Sequence, residues 1–106
     1  MNRQNIIERI LESLPKSIVA ADQNHIITYM NKSARDEHTD LVGKSLLSCH
    51  NEESVKKIHE ISGRLEAGEK MISLREEDGI IKSYFKAVRN DQGEFVGYYE
   101  LMDKRT

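Results

Sequence analysis

From residue 71 to residue 102 the sequence alternates, and that alternation limits the possible folds more than any other feature of the chain. Met71 to Arg75, Ile80 to Arg89 and Phe95 to Met102 carry apolar and aromatic residues at a spacing close to two, the period of half-buried strands. Asp78 and Gly79 separate the first two runs, and Asp91 to Gly93 separate the last two, so tight turns join antiparallel neighbours. Just upstream the period changes. Val55, Ile58, Ile61 and Leu65 recur at helical spacing, Asn51 can cap that helix, Glu52 and Glu53 suit the positive end of its dipole, and Gly68 can end it. The spacing predicts a long helix from Asn51 to Ala67 packed across one face of the strands.

The first half completes the layer. Ile6, Ile7, Ile10, Leu11 and Leu14 form one stripe of a helix over residues 1–14, which Pro15 closes by pushing its predecessor out of helical space. Ser17 to Asp22 and Ile26 to Met30 read as two strands around a turn at Gln23 and Asn24. Asn31 to His50 is broken by Asn, Asp, Ser and Gly43 and reads as short helices and turns. The expected class is α+β: a five-stranded antiparallel sheet with helices packed on one face and an N-terminal amphipathic helix.

A chain of 106 residues fits one domain, here a helix over 1–14 and a core over 15–106. Net charge is −2 with both signs interspersed, and no basic stripe interleaved with aromatics tracks a phosphate backbone, which argues against nucleic acid as a partner. No apolar run is long enough to span a bilayer, and the first residues lack the pattern of a secretory signal, so a soluble, cytoplasmic protein is expected. The single cysteine, Cys49, excludes an internal disulfide and a four-thiolate metal site.

Three stretches resemble the PAS domains of bacterial signalling proteins. Leu14 and Pro15, then Ser17-Ile18-Val19-Ala20-Ala21-Asp22, Ile26-Ile27-Thr28-Tyr29 and Asn31, are similar to that family's opening strands and the asparagine after them. Leu41-Val42-Gly43-Lys44-Ser45 is similar to its apolar pair, glycine and small helix. Ala87-Val88-Arg89, Asp91, Gly93, Phe95-Val96-Gly97 and Asp103 are similar to its closing hairpin. The likeness runs from about Ile6 to Thr106, and departs where Asp103-Lys104-Arg105-Thr106 replaces the usual Asp-Ile-Thr ending. Cys49-His50 resembles a subgroup with Cys-His-Pro at this point, with Asn51 in place of the proline.

The resemblance implies a sensory, non-catalytic domain that binds a small ligand or cofactor, haem among the candidates, and forms a homodimer in signal transduction. The rival expectation is a ligand-free dimerisation module of a larger protein, with a downstream signalling domain as its output. If haem binds, His50 or His59 is the expected iron ligand, His59 lying near the family's axial position. Of the four histidines, His25 and His38 read as solvated surface residues. Cys49 reads as a buried inert thiol, since Ser48-Cys49-His50-Asn51 does not match the flavin-attaching Asn-Cys-Arg-Phe motif.

No glycine-rich phosphate loop or nucleophile with its base stands out, and Glu76, Glu77 and Asp78 read as an acidic hairpin tip. The expected cavity between sheet and long helix is apolar, with Ile58, Phe85, Leu74 and Leu101 as its ligand-contacting residues and Ile18, Ala20, Tyr29, Leu46, Val55 and Ala87 beside them. Such a lining suits a small hydrophobic ligand. The first-helix stripe is too wide for the domain to cover alone, so Ile6, Ile7, Ile10, Leu11 and Leu14 are the expected dimer contacts, with Tyr84, Val88, Tyr98 and Met102 on the outer sheet face.

Overall fold

The computed structural model describes residues 2–75 and 81–102. Helix α1 (Arg3–Ser13) leads into strands β1 (Ser17–Asp22) and β2 (Ile27–Met30), helix α2 (Lys32–His38), a 3-10 turn (Leu46–Cys49) and helix α3 (Glu52–Glu66). Strands β3 (Met71–Arg75), β4 (Ile81–Arg89) and β5 (Phe95–Met102) follow. All five strands pair antiparallel in the order β2-β1-β5-β4-β3, so the first and last strands of the chain meet at the centre of the sheet. The expected acidic tip at Glu76 to Asp78, the turn at Gly79 and the ending from Asp103 lie outside the described residues.

Each α-helix opens on an asparagine in extended conformation whose side chain accepts a hydrogen bond from a backbone N–H three residues on: Asn2 from Asn5, Asn31 from Ala34, Asn51 from Ser54. Helix α3 lays Ile58, Ile61 and Leu65 against Ile72, Phe85, Tyr98 and Ala21, forming the main core. A second cluster gathers Val19, Ile27, Met30 and Ala34 beneath α2. Gly97 brings β5 against β1 so closely that a Cβ there would collide with the Ala21 carbonyl oxygen, which only glycine avoids. Gly43, at φ +91°, turns the chain so that its N–H donates to the Ile27 carbonyl while Lys44 accepts from the Ile27 N–H. That pairing, with the Leu46 N–H on the His25 carbonyl at 2.7 Å, sets Leu46 over the core.

Two faces differ from the sequence expectation. On β1 the inward residues are Ser17, Val19 and Ala21, all buried, while Ile18 and Ala20 lie on the opposite face. On β5 the inward residues are Tyr98, Glu100 and Met102. Tyr98 is 2% exposed and Met102 packs on the second cluster, so neither belongs to the outer surface, and Leu101 points away from α3. Tyr84 and Val88 are on the outer face as expected.

The end of α1 is tied to the core by two polar knots. Asn31 is fully buried: its Oδ1 also accepts from the Ile18 N–H at 3.1 Å, and its Nδ2 donates to the carbonyls of Leu11 at 3.1 Å and Lys16 at 2.8 Å. Arg35 grips Glu12 through two nitrogens at 2.9 and 2.7 Å, and the Tyr29 hydroxyl donates to the same carboxylate at 3.0 Å. Tyr29 is therefore a partner of α1 and not a cavity residue. The Arg35 guanidinium, aided by Tyr29 and opposed by partial burial, lowers the Glu12 carboxyl from its ordinary 4.5 to about 2.

A pKa lower in the folded than in the unfolded chain makes this knot fully stabilising above pH 4.5 and progressively lost as pH falls toward 2. The stability difference between the wild type and Glu12→Gln is expected to be constant above pH 5.5 and to shrink steadily below 4.5. Urea unfolding at stepped pH reads it, and a difference that grew on acidification would contradict the knot.

Candidate functional site

Between α3 and strands β3 to β5 lies a cavity of about 140 Å³. Its apolar walls are Leu46 from the 3-10 turn, Ile58 and Ile61 from α3, Leu74 from β3 and Phe85 from β4. Ile58 and Phe85 are 7% and 4% exposed. His50, Ser54 and Lys57 add polar edges, and Glu100 reaches in from β5. His50 and Lys57 are exposed, which puts them on the solvent side of the lining; Ser54 and Glu100 are half-buried.

Helical spacing aims Ile58 and Ile61 at the strands, and Ser54 and Lys57 each precede one of them by four residues on the same flank. On the sheet, Phe85 and Glu100 are direct cross-strand partners, so strand alternation delivers both to the same side. Burial pushes the Glu100 carboxyl above the ordinary carboxylate range, against the opposing effect of a side-chain hydrogen bond from Ser83.

Of the residues expected from sequence to meet a ligand, Ile58, Phe85, Leu74 and His50 are brought together here, with Leu46 among their neighbours. Leu101 is on the other face of β5, and His59 is an exposed residue outside the lining. The reason is rotation: one residue along a helix is about 100°, and Ile58 takes the inward direction. Ala87 packs into the core without bordering the cavity, and Val55 is half-buried outside the lining. Cys49 ends the 3-10 turn beside His50; its side chain lies outside what the structure describes. Ser54, Lys57, Ile61 and Glu100 were not foreseen. A fixed strand parity would have revealed Glu100, since it lies two residues from Tyr98.

His25 is not the solvated residue its turn suggested. It is half-buried at φ +66°, its Nδ1 is 2.7 Å from the Tyr98 hydroxyl, and its ring stands edge-on to His59 at a centroid distance of 5.0 Å. Burial lowers its pKa, helped by His59 and opposed by Asp22, and burial raises that of Tyr98. The contact between the His25 and His59 rings joins the β1 to β2 turn to α3. His38 is exposed, 3.7 Å from Glu37, in agreement with its surface reading.

The cavity does not fit a haem. Its volume is below the roughly 300–1,000 Å³ of sites for drug-sized ligands, its wall carries the half-buried acid Glu100, and of the two expected iron ligands only His50 borders it, from the exposed rim. Among the described residues no three metal-ligating side chains come together. A wider hollow of about 400 Å³ is bounded, among the described residues, by the polar Asn5, Glu8, Arg9 and Glu12 along α1. Among the described residues no helix is long and apolar enough to cross a membrane.

Comparison with known proteins gives the frame a family. A C-terminal domain from Streptococcus mutans is 22% identical and superposes with a TM-score of 0.78 over 95% of this chain and 84% of that one. The PAS domain of BvgS from Bordetella pertussis is 15% identical, with a TM-score of 0.71 over 99% and 89%. A sensory box sensor histidine kinase structure from Vibrio cholerae is 11% identical, with a TM-score of 0.67 over 97% and 91%. No match is found among curated proteins. The family model described as PAS fold matches residues 11–106, from the last turn of α1 onward, and with the sheet order β2-β1-β5-β4-β3 beneath α3 this makes the chain a member of the PAS fold family.

Proposed function

We propose that this domain is a sensing module of a signalling protein, with a small ligand beneath α3 as its input and a homodimer as its working form. The cavity between α3 and the sheet is the observation that carries this reading: its walls come from α3, the 3-10 turn and three strands, so an occupant touches most of the elements that could move. Similarity to a PAS domain and to a sensor histidine kinase supports a role in signal transduction rather than in catalysis. The volume favours an occupant much smaller than haem. Mass spectrometry of compounds released from the purified protein tests it, with a small organic molecule at near one per chain expected. A Soret band after expression with haem, lost on His50→Ala, would overturn the size argument.

The dimer rests on α1. Ile6, Ile7 and Ile10 are 47%, 46% and 55% exposed, whereas Leu11 and Leu14 are half-buried, so the stripe is covered only at its C-terminal end. Three adjacent exposed isoleucines favour pairing with the same helix of a second copy. The expected result in sedimentation equilibrium is a dimer that dissociates when Ile6, Ile7 and Ile10 are all replaced by Gln. A monomeric wild type at high micromolar concentration would refute it. If the dimer holds and no cavity ligand is found, the domain is a ligand-free dimerisation module.

A further inference from the structure

We infer that Glu100 is the recognition residue of the cavity and that the ligand it selects is a small aliphatic amine, its cationic N–H group directed at Glu100 and its apolar body against Ile58, Ile61, Leu74 and Phe85. The inference rests on the reading of the cavity as a ligand site and adds the chemistry of the ligand.

Among the described residues Glu100 is the only acid in the lining, and it sits on a central strand of the sheet, directly across from Phe85. A leucine or valine at this position would complete an apolar wall. An acid there weakens the core, because a carboxylate taken out of water loses more than a single neutral hydrogen bond returns. Ser83 supplies one hydrogen bond of the roughly four that two carboxylate oxygens can accept. Remaining acceptor capacity bordering an open volume is suited to a donor that enters from outside, and a cationic one offsets the desolvation that a neutral one leaves in place.

Lys57 and His50 are the exposed members of the lining, and the Lys57 ammonium on this rim disfavours a second positive charge at the outer end of the ligand. A carboxylate or carbonyl at that outer end is compatible with the rim, and a dication is not. With about 140 Å³ available, the body of the ligand is a short branched chain and not an aromatic polycycle.

The test is a methyl-observed NMR titration of the full chain with isopentylamine, isopentanol and isovalerate, in wild type and Glu100→Gln. Isopentylamine is expected to shift the methyls of Ile58, Ile61 and Leu74 and to bind at least tenfold more tightly than either isostere. Glu100→Gln should remove that preference while isopentanol still binds. A second readout needs no variant: the side-chain carboxyl carbon of Glu100 should shift with isopentylamine and not with isopentanol. Equal binding of the three probes, an amine preference unchanged in Glu100→Gln, or a silent Glu100 carboxyl would sink the inference and leave the cavity as a ligand site. No methyl shift with any probe would sink both.

Discussion

Replacing Asn31 with alanine is expected to cost the domain about 3–5 kcal/mol, more than the loss of a helix cap alone, which is worth about 1 kcal/mol. The side chain is fully buried and serves four backbone groups belonging to different elements: the N–H of Ala34 in α2, the N–H of Ile18 in β1, and the carbonyls of Leu11 in α1 and Lys16 before β1. Alanine removes every one of these partners and leaves a void too enclosed for free solvent to restore them all, at about 1–3 kcal/mol for each buried group left unpaired. Asn31→Asp separates the contributions. It keeps both acceptor bonds, the cap being one of them, yet turns a carboxylate oxygen toward two carbonyls, so it should be nearly as damaging at neutral pH and partly recover in acid as the carboxyl gains a proton to donate. Urea unfolding of both variants checks this. A loss below 1 kcal/mol for Asn31→Ala would mean that the junction of α1, β1 and α2 does not depend on this side chain.

The contrast between Asn31 and Glu100 shows what the sequence could convey. The elements were legible because their periods are clean: Val55, Ile58, Ile61 and Leu65 place α3 within a residue of its ends, and the turn residues at Asp91 to Gly93 bound β4 and β5. The strand faces were not. Ile18-Val19-Ala20-Ala21 and Tyr98-Tyr99-Glu100-Leu101-Met102 offer apolar residues to both sides of the sheet, so alternation alone fits either parity, and the choice of Leu101 over Glu100 as the inward residue followed the rule that acids face water. That rule fails at Glu100, where a cavity replaces the packing an inward side chain would otherwise need.

His25 was hidden for a different reason. A histidine beside a turn is ordinarily solvated, and only the pairing of β1 with β5 carries Tyr98 to within hydrogen-bond distance across a separation of 73 residues. Helix α1 was legible as a helix and as an incompletely covered one, but its anchoring through Glu12, Tyr29 and Arg35 draws on three elements that no local pattern brings together. The dimer proposal gains from this. The helix is fixed at its C-terminal end by side-chain bonds while its isoleucines remain uncovered, so it can present them to a partner without first being ordered.

Truncating Phe85 to alanine should destabilise the domain by about 3–5 kcal/mol, and the position of the cavity explains why the upper part of that range applies. Phe85 is 4% exposed in the middle of β4, where it is flanked across the ladder by Ile72 and Glu100, and its ring lies 6.5 Å from that of Tyr98. A core can recover part of a truncation by collapsing onto it, but here the new void opens into an existing one. The walls have little to collapse against, and the residual volume, at about 24 cal/mol per Å³, is retained. Phe85→Leu preserves much of the bulk and should cost clearly less. Val88→Ala, on the outward face of the same strand at 39% exposure, should change stability by less than about 1 kcal/mol. Urea unfolding orders the three, and the enlarged cavity supplies a further check: benzene should raise the unfolding midpoint of Phe85→Ala clearly more than that of the wild type, by occupying the merged space. A Phe85→Ala chain as stable as Val88→Ala, or one indifferent to benzene, would show that the ring does not separate the cavity from the core.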